Sequence, residues 1–177
     1  TAGYAYLVGP ELHWASEVHG VSGTGYLNAG PRHQGTFAQQ IDHLPTTFAP
    51  NVVLVQGGRN DGNYPRPRLE AAIAATIAQA RKHFAGARIV MLGPIPPRVP
   101  VDAGELRAEA ALGAVAASQR VMFIDPIHEH WITAENQATY AGHVPGHPNN
   151  AGYAYIAHRL ALDLSRMPAP PTHAPTA

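Results

Sequence analysis

The sequence predicts an α/β fold, a three-layer doubly wound parallel sheet, because short β-branched apolar runs recur along the chain and stretches of helical period separate them. Asn51-Val52-Val53-Leu54-Val55-Gln56, Arg88-Ile89-Val90-Met91-Leu92 and Val121-Met122-Phe123-Ile124 are four to six residues long, the length of buried strands. Parallel neighbours need crossover connections, and the intervening helices supply them.

The elements follow in order. Leu7 to Val18 contains a helix interrupted near Pro10, and Val18 to Val21 is a candidate short strand. Phe37, Ile41 and Leu44 recur at helical spacing. Pro67 to Phe84 is an amphipathic helix, with Leu69, Ile73, Ile77, Ala80 and Phe84 three or four residues apart and Gly86 as its stop. Glu105 to Gln119 is an alanine-rich helix, and Asn150 caps a last helix presenting Tyr153, Ile156, Leu160 and Leu164. From Met167 onward proline recurs too often for helix and apolar surface is too sparse for packing. The expected division is one domain over 1–166 and a Pro-rich disordered tail over 167–177.

Composition removes several function classes. Twelve basic and twelve acidic residues balance to zero formal charge, so the basic field that draws a protein to nucleic acid or anionic lipid is lacking. Apolar runs of four to six residues fall far short of the roughly 20 that span a bilayer. The absence of cysteine excludes disulfides and thiolate nucleophiles. With the low charge and the Pro/Thr-rich end it leans toward export, although a cytoplasmic setting fits nearly as well, and no cofactor is implied.

Three loops carry the chemistry. The strand ending at Gln56 runs into Gly57-Gly58-Arg59-Asn60-Asp61-Gly62, a polar turn at a strand's carboxyl end, where open α/β sheets place their sites. The Asn60 amide can donate hydrogen bonds to developing negative charge. Gly20-Val21-Ser22-Gly23-Thr24-Gly25-Tyr26 offers a backbone N–H near the same edge, and lacks the Gly-Lys-Ser/Thr ending of a phosphate loop. Gly146-His147-Pro148-Asn149-Asn150 sets a histidine in a proline-stiffened loop before a helix, a position suited to a general base.

Together these blocks resemble those of the SGNH (GDSL-type) hydrolases: an oxyanion glycine, a Gly-x-Asn-Asp block and a late His-Pro before a helix. The resemblance spans roughly Thr1 to Leu164, and Gly93-Pro94-Ile95-Pro96-Pro97 sits where the family has a post-strand substrate loop. It implies a flavodoxin-like strand order 2-1-3-4-5 and serine esterase, lipase or acyltransferase chemistry on a small acyl ester, including an acylated carbohydrate or lipid. It assigns His147 as base and Gly23 N–H with Asn60 as the oxyanion hole; Arg59, Tyr26 and Asp61 are assigned to substrate binding, and Tyr64 and Tyr140 are further pocket candidates.

The chain departs from the family pattern twice. Thr1-Ala2-Gly3-Tyr4 looks like the continuation of the family's Gly-Asp-Ser block, so the nucleophilic serine, with the strand leading to it, is expected two positions ahead of Thr1. Ser16, Ser22 and Ser118 are not in a strand-to-helix elbow that would expose a nucleophile. The family's Asp-x-x-His-Pro block has Val144 at the acid's position, leaving a backbone carbonyl, Asp125 or another carboxylate to orient His147. A scaffold without its nucleophile would be a carbohydrate- or lipid-binding domain instead. A histidine metal site, from His128-x-His130 or His143 with His147, is disfavoured because Pro145-Gly146 breaks the helix that an i,i+4 pair requires.

Overall fold

A computed structural model describes residues 3–167. The chain runs α1 (Tyr4–Glu11), α2 (Phe37–Asp42), β1 (Val52–Gln56), α3 (Arg66–His83), β2 (Arg88–Leu92), α4 (Ala103–Gln119), β3 (Met122–Ile124), α5 (Gln137–Tyr140) and α6 (Asn150–Ser165). A single 3-10 turn, Arg59–Asp61, follows β1. The three strands pair in parallel, in the order β1-β2-β3, with Val52 opposite Arg88 and Val90 opposite Met122.

Strand alternation builds the layers. Successive side chains of a strand point to opposite faces. Ile89 and Met91 of β2 therefore enter one core, with Leu69, Ile73 and Ile77 of α3 and Ala108, Leu112 and Val115 of α4. Val90 and Leu92 enter the other, with Val8 of α1, Trp131, and Ile156, Leu160 and Leu164 of α6. Both crossover helices thus cover one face of the sheet while α1 and α6 cover the other.

Helices α2, α3, α4 and α6 follow the sequence expectation to within one or two residues, whereas α1 spans Tyr4–Glu11 instead of lying within Leu7 to Val18, and α5 was not expected. Asn149, one residue before the expected Asn150, caps α6: its Oδ1 accepts the Gly152 N–H at 2.8 Å. Pro10 stands inside α1 near its end instead of interrupting a longer helix. Val18 to Val21 forms no strand. Its last carbonyl turns back on the chain, accepting from Thr24 N at 3.3 Å and Thr24 Oγ1 at 2.7 Å. Among the described residues the parallel sheet has three strands, so the five-strand order 2-1-3-4-5 is not seen. The tail over 168–177 lies outside the described residues.

Candidate active site

The turn after β1 is anchored by Asp61. Its carboxylate is wholly buried and accepts backbone N–H groups from Tyr26 at 2.9 Å, Leu27 at 2.9 Å and Asn28 at 3.0 Å. Three bonds to this carboxylate tie residues 26–28, the end of the glycine-rich loop and the two residues after it, to the turn. The approach is close enough that a Cβ on Gly25 would lie 2.2 Å from Asp61 Oδ2, so only glycine fits there.

Asn60 lies beside this anchor and stays exposed. Its Nδ2 donates to the Thr24 carbonyl at 2.8 Å, and its own carbonyl accepts from Asn28 Nδ2 at 3.3 Å. A primary amide carries two donor hydrogens, so one remains after the Thr24 bond. Gly23, with φ +79°, directly precedes Thr24. The side-chain donor and the main-chain donor expected at the site therefore belong to one hydrogen-bonded unit.

His147 lies on a separate loop, just ahead of α6. Its loop closes on itself: Gly142 N donates to the His147 carbonyl at 2.8 Å, His147 N to the Val144 carbonyl at 3.0 Å, and Ala141 bridges to Pro148. Asn149 Nδ2 adds bonds to the carbonyls of Thr139 at 2.8 Å and Ala141 at 3.1 Å. The imidazole is exposed beside an open cleft of about 720 Å³, lined also by His143, Val144, Pro148 and Tyr153. Arg59 Nη1 donates to the Gly146 carbonyl at 2.7 Å and so joins this loop to the Asn60 turn.

A model of the GDSL-like lipase/acylhydrolase family matches residues 1–155, most of the chain. The chain belongs to that family. A GDSL lipase of Mycobacterium tuberculosis is 33% identical over 117 residues, which covers 64% of this chain and 50% of the relative, so the chain spans about half the length of that curated relative. Solved structures share the fold. One from Lactobacillus plantarum has a TM-score of 0.72 at 20% identity, over 94% of this chain and 89% of that one. The native aryl esterase of M. smegmatis has a TM-score of 0.70 at 15% identity, over 92% and 84%. A salicylyl-acyltransferase from a tetracycline biosynthetic pathway reaches 0.54 at 18% identity, over 75% of this chain and 41% of its own.

In this GDSL-family chain the expected substrate contacts are placed differently from one another. Tyr26 is 2% exposed and packs edge-on against Phe37, with ring centroids 5.0 Å apart. Burial, reinforced by the nearby Asp61 charge, pushes its phenol well above the usual tyrosine range, so it stays neutral. Asp61 is likewise turned inward, and the two residues serve the loop's shape. Arg59 remains partly exposed but is engaged on both sides, with its Nε 3.1 Å from Glu105 Oε1 as well as its bond to Gly146. Asp125, an alternative partner for His147, instead accepts the N–H groups of Ile127 and His128, each at 3.1 Å, in the turn after β3.

Glu105 was not legible as a site neighbour. An acidic residue in the first turn of a helix ordinarily favours the positive end of the helix dipole, and nothing in its spacing marks it for burial. No group of three or more His, Cys, Asp or Glu side chains able to hold a metal gathers among the described residues. None of the described helices is long and apolar enough to cross a membrane.

Proposed function

We propose that the chain is a serine esterase/lipase-type hydrolase that cleaves small carboxylic esters through an acyl-enzyme. The nucleophile in this reading is the serine of the Gly-Asp-Ser block expected ahead of Thr1. Its Oγ attacks the ester carbonyl while His147 removes the proton, and the Gly23 N–H with the remaining Asn60 hydrogen receives the negative oxygen. The intermediate collapses, the alcohol leaves with the proton from His147, and water attacks the acyl-enzyme by the same route. With Val144 at the acid's usual position and Asp125 engaged elsewhere, serine and His147 work as a dyad.

The observation that carries the reading is the Asn60 to Thr24 hydrogen bond at 2.8 Å, which holds the amide beside Gly23 with a donor to spare. An acyl-enzyme open to solvent also transfers its acyl group to a sugar or polyol hydroxyl, and the exposed cleft beside His147 leaves room for that acceptor. Glycerol added to the assay distinguishes the two by product.

The test is covalent labelling of the full-length protein by a fluorophosphonate, together with hydrolysis of p-nitrophenyl esters. Labelling of one serine is expected, and its loss in His147→Ala. Absence of both labelling and hydrolysis in the wild type would favour a carbohydrate- or lipid-binding domain.

A further inference from the structure

Arg59 stands between the two halves of the candidate site. Its neighbour Asn60 belongs to the oxyanion side, and its guanidinium reaches across to the loop that carries His147, donating to the Gly146 carbonyl at 2.7 Å. Among the described residues this is the hydrogen bond that crosses from the 141–148 loop to the Asn60 turn. The loop's remaining bonds run within itself and to the segment containing α5. They fix its shape but not its distance from Asn60.

The guanidinium is aimed from behind. Glu105 on α4 is 3% exposed, and its Oε1 lies 3.1 Å from Arg59 Nε. The first turn of α4 is pressed against the end of the Asn60 turn: a Cβ on Gly62 would lie 2.7 Å from the Gly104 Cα, and Arg107 donates to the Gly62 carbonyl. Glu105 is thus carried on a rigid element seated on that turn. A planar guanidinium suits this place, because it keeps its Nη1 hydrogen bond to the Gly146 carbonyl while its Nε edge holds the charge beside the Glu105 carboxylate, whereas an ammonium is a point charge on a flexible stem.

We infer that Arg59, aligned by the buried Glu105, is a positioning residue that clamps the His147 loop to the Asn60 turn and so sets the base against the oxyanion donors. The inference rests on the hydrolase reading above. It also supplies a rationale for Val144: with no carboxylate three residues before the histidine, alignment of the base falls to a contact on the residue immediately before it.

The test compares the wild type with Arg59→Lys and with the double variant Arg59→Gln/Glu105→Gln, which removes the clamp without stranding a buried charge. Three quantities are read: amide hydrogen exchange over 141–148, kcat and KM on a p-nitrophenyl ester, and the thermal midpoint. The double variant is expected to keep its midpoint near that of the wild type and to exchange faster across 141–148. Its kcat should fall by roughly 10²-fold with KM little changed, the scale of a misplacement of about 1 Å. Arg59→Lys, which keeps the charge but not the fork, should fall between the two. If the double variant does not fold, Arg59→Lys supplies the same readouts.

Unchanged exchange over 141–148 in a folded variant overturns the clamp, whether or not the protein hydrolyses esters. Faster exchange with wild-type kcat overturns the positioning role. A wild type that neither labels nor hydrolyses removes the hydrolase reading and the positioning role with it, while the exchange data still decide whether Arg59 holds the loop.

Discussion

At the scale of single residues, Asn60 can be separated from the structure around it. It is exposed, and the loop it touches through its side-chain bond to the Thr24 carbonyl is held to the turn independently by the three bonds to Asp61. Asn60→Ala should therefore lower kcat by about 10²- to 10³-fold, the cost of deleting one oxyanion donor, with the thermal midpoint nearly unchanged. Steady-state kinetics on a p-nitrophenyl ester with a melting curve checks this, and wild-type turnover would remove Asn60 from the mechanism. The polar turn after β1 and the proline-stiffened loop before α6 were legible in the sequence because turn chemistry and order along the chain are local properties, and the roles proposed there for Asn60, Gly23 and His147 are what the kinetic test decides. The placements of Tyr26, Asp61 and Glu105 were not. A tyrosine or a carboxylate on a polar loop carries no local mark of whether it faces solvent or a neighbouring backbone, and that depends on contacts 35 residues away in the case of Tyr26 and Asp61.

At the scale of elements, α3, β2 and α4 were legible because their apolar or alanine-rich runs are uninterrupted and match the period of the element. Val18 to Val21 was not, since a short segment with a valine at each end becomes a strand only beside a partner, and here the Val21 carbonyl is taken by Thr24. The contact between α4 and the end of β3 adds a dependence on pH. Burial, then the hydrogen bond and the charge of Asp125, push the Glu109 carboxyl up to about 7, with His128 opposing. The folded protein therefore holds this proton more tightly than the unfolded chain does. The stability it contributes is full below the unfolded glutamate value and is lost as pH rises through about 7. The wild-type thermal midpoint should fall between about pH 5 and pH 8, and Glu109→Gln, which keeps a donor to Asp125 at every pH, should flatten that fall. A Glu109→Gln curve as steep as the wild type's would place the dependence elsewhere.

At the scale of the whole molecule, the sheet separates two cores that share strands but not side chains. The class of fold was legible because three buried strands with helices between them admit few other arrangements. The number and order of strands were not, since pairing is a long-range property that no single run encodes. Ile77 of α3 and Ile156 of α6 are each nearly inaccessible and lie in different cores, on opposite faces of β2. Ile77→Val and Ile156→Val should each cost about 0.5–1.5 kcal/mol through the lost methylene and its residual cavity. Because no side chain is common to the two clusters, the double variant should lose the sum of the single losses to within about 0.5 kcal/mol in urea melts. A larger coupling would mean that a cavity on one face moves the strands enough to be felt on the other. The strands would then carry strain between the α1/α6 layer and the α3/α4 layer, and the loops at their carboxyl ends, including the turn that holds Asn60, would move with both.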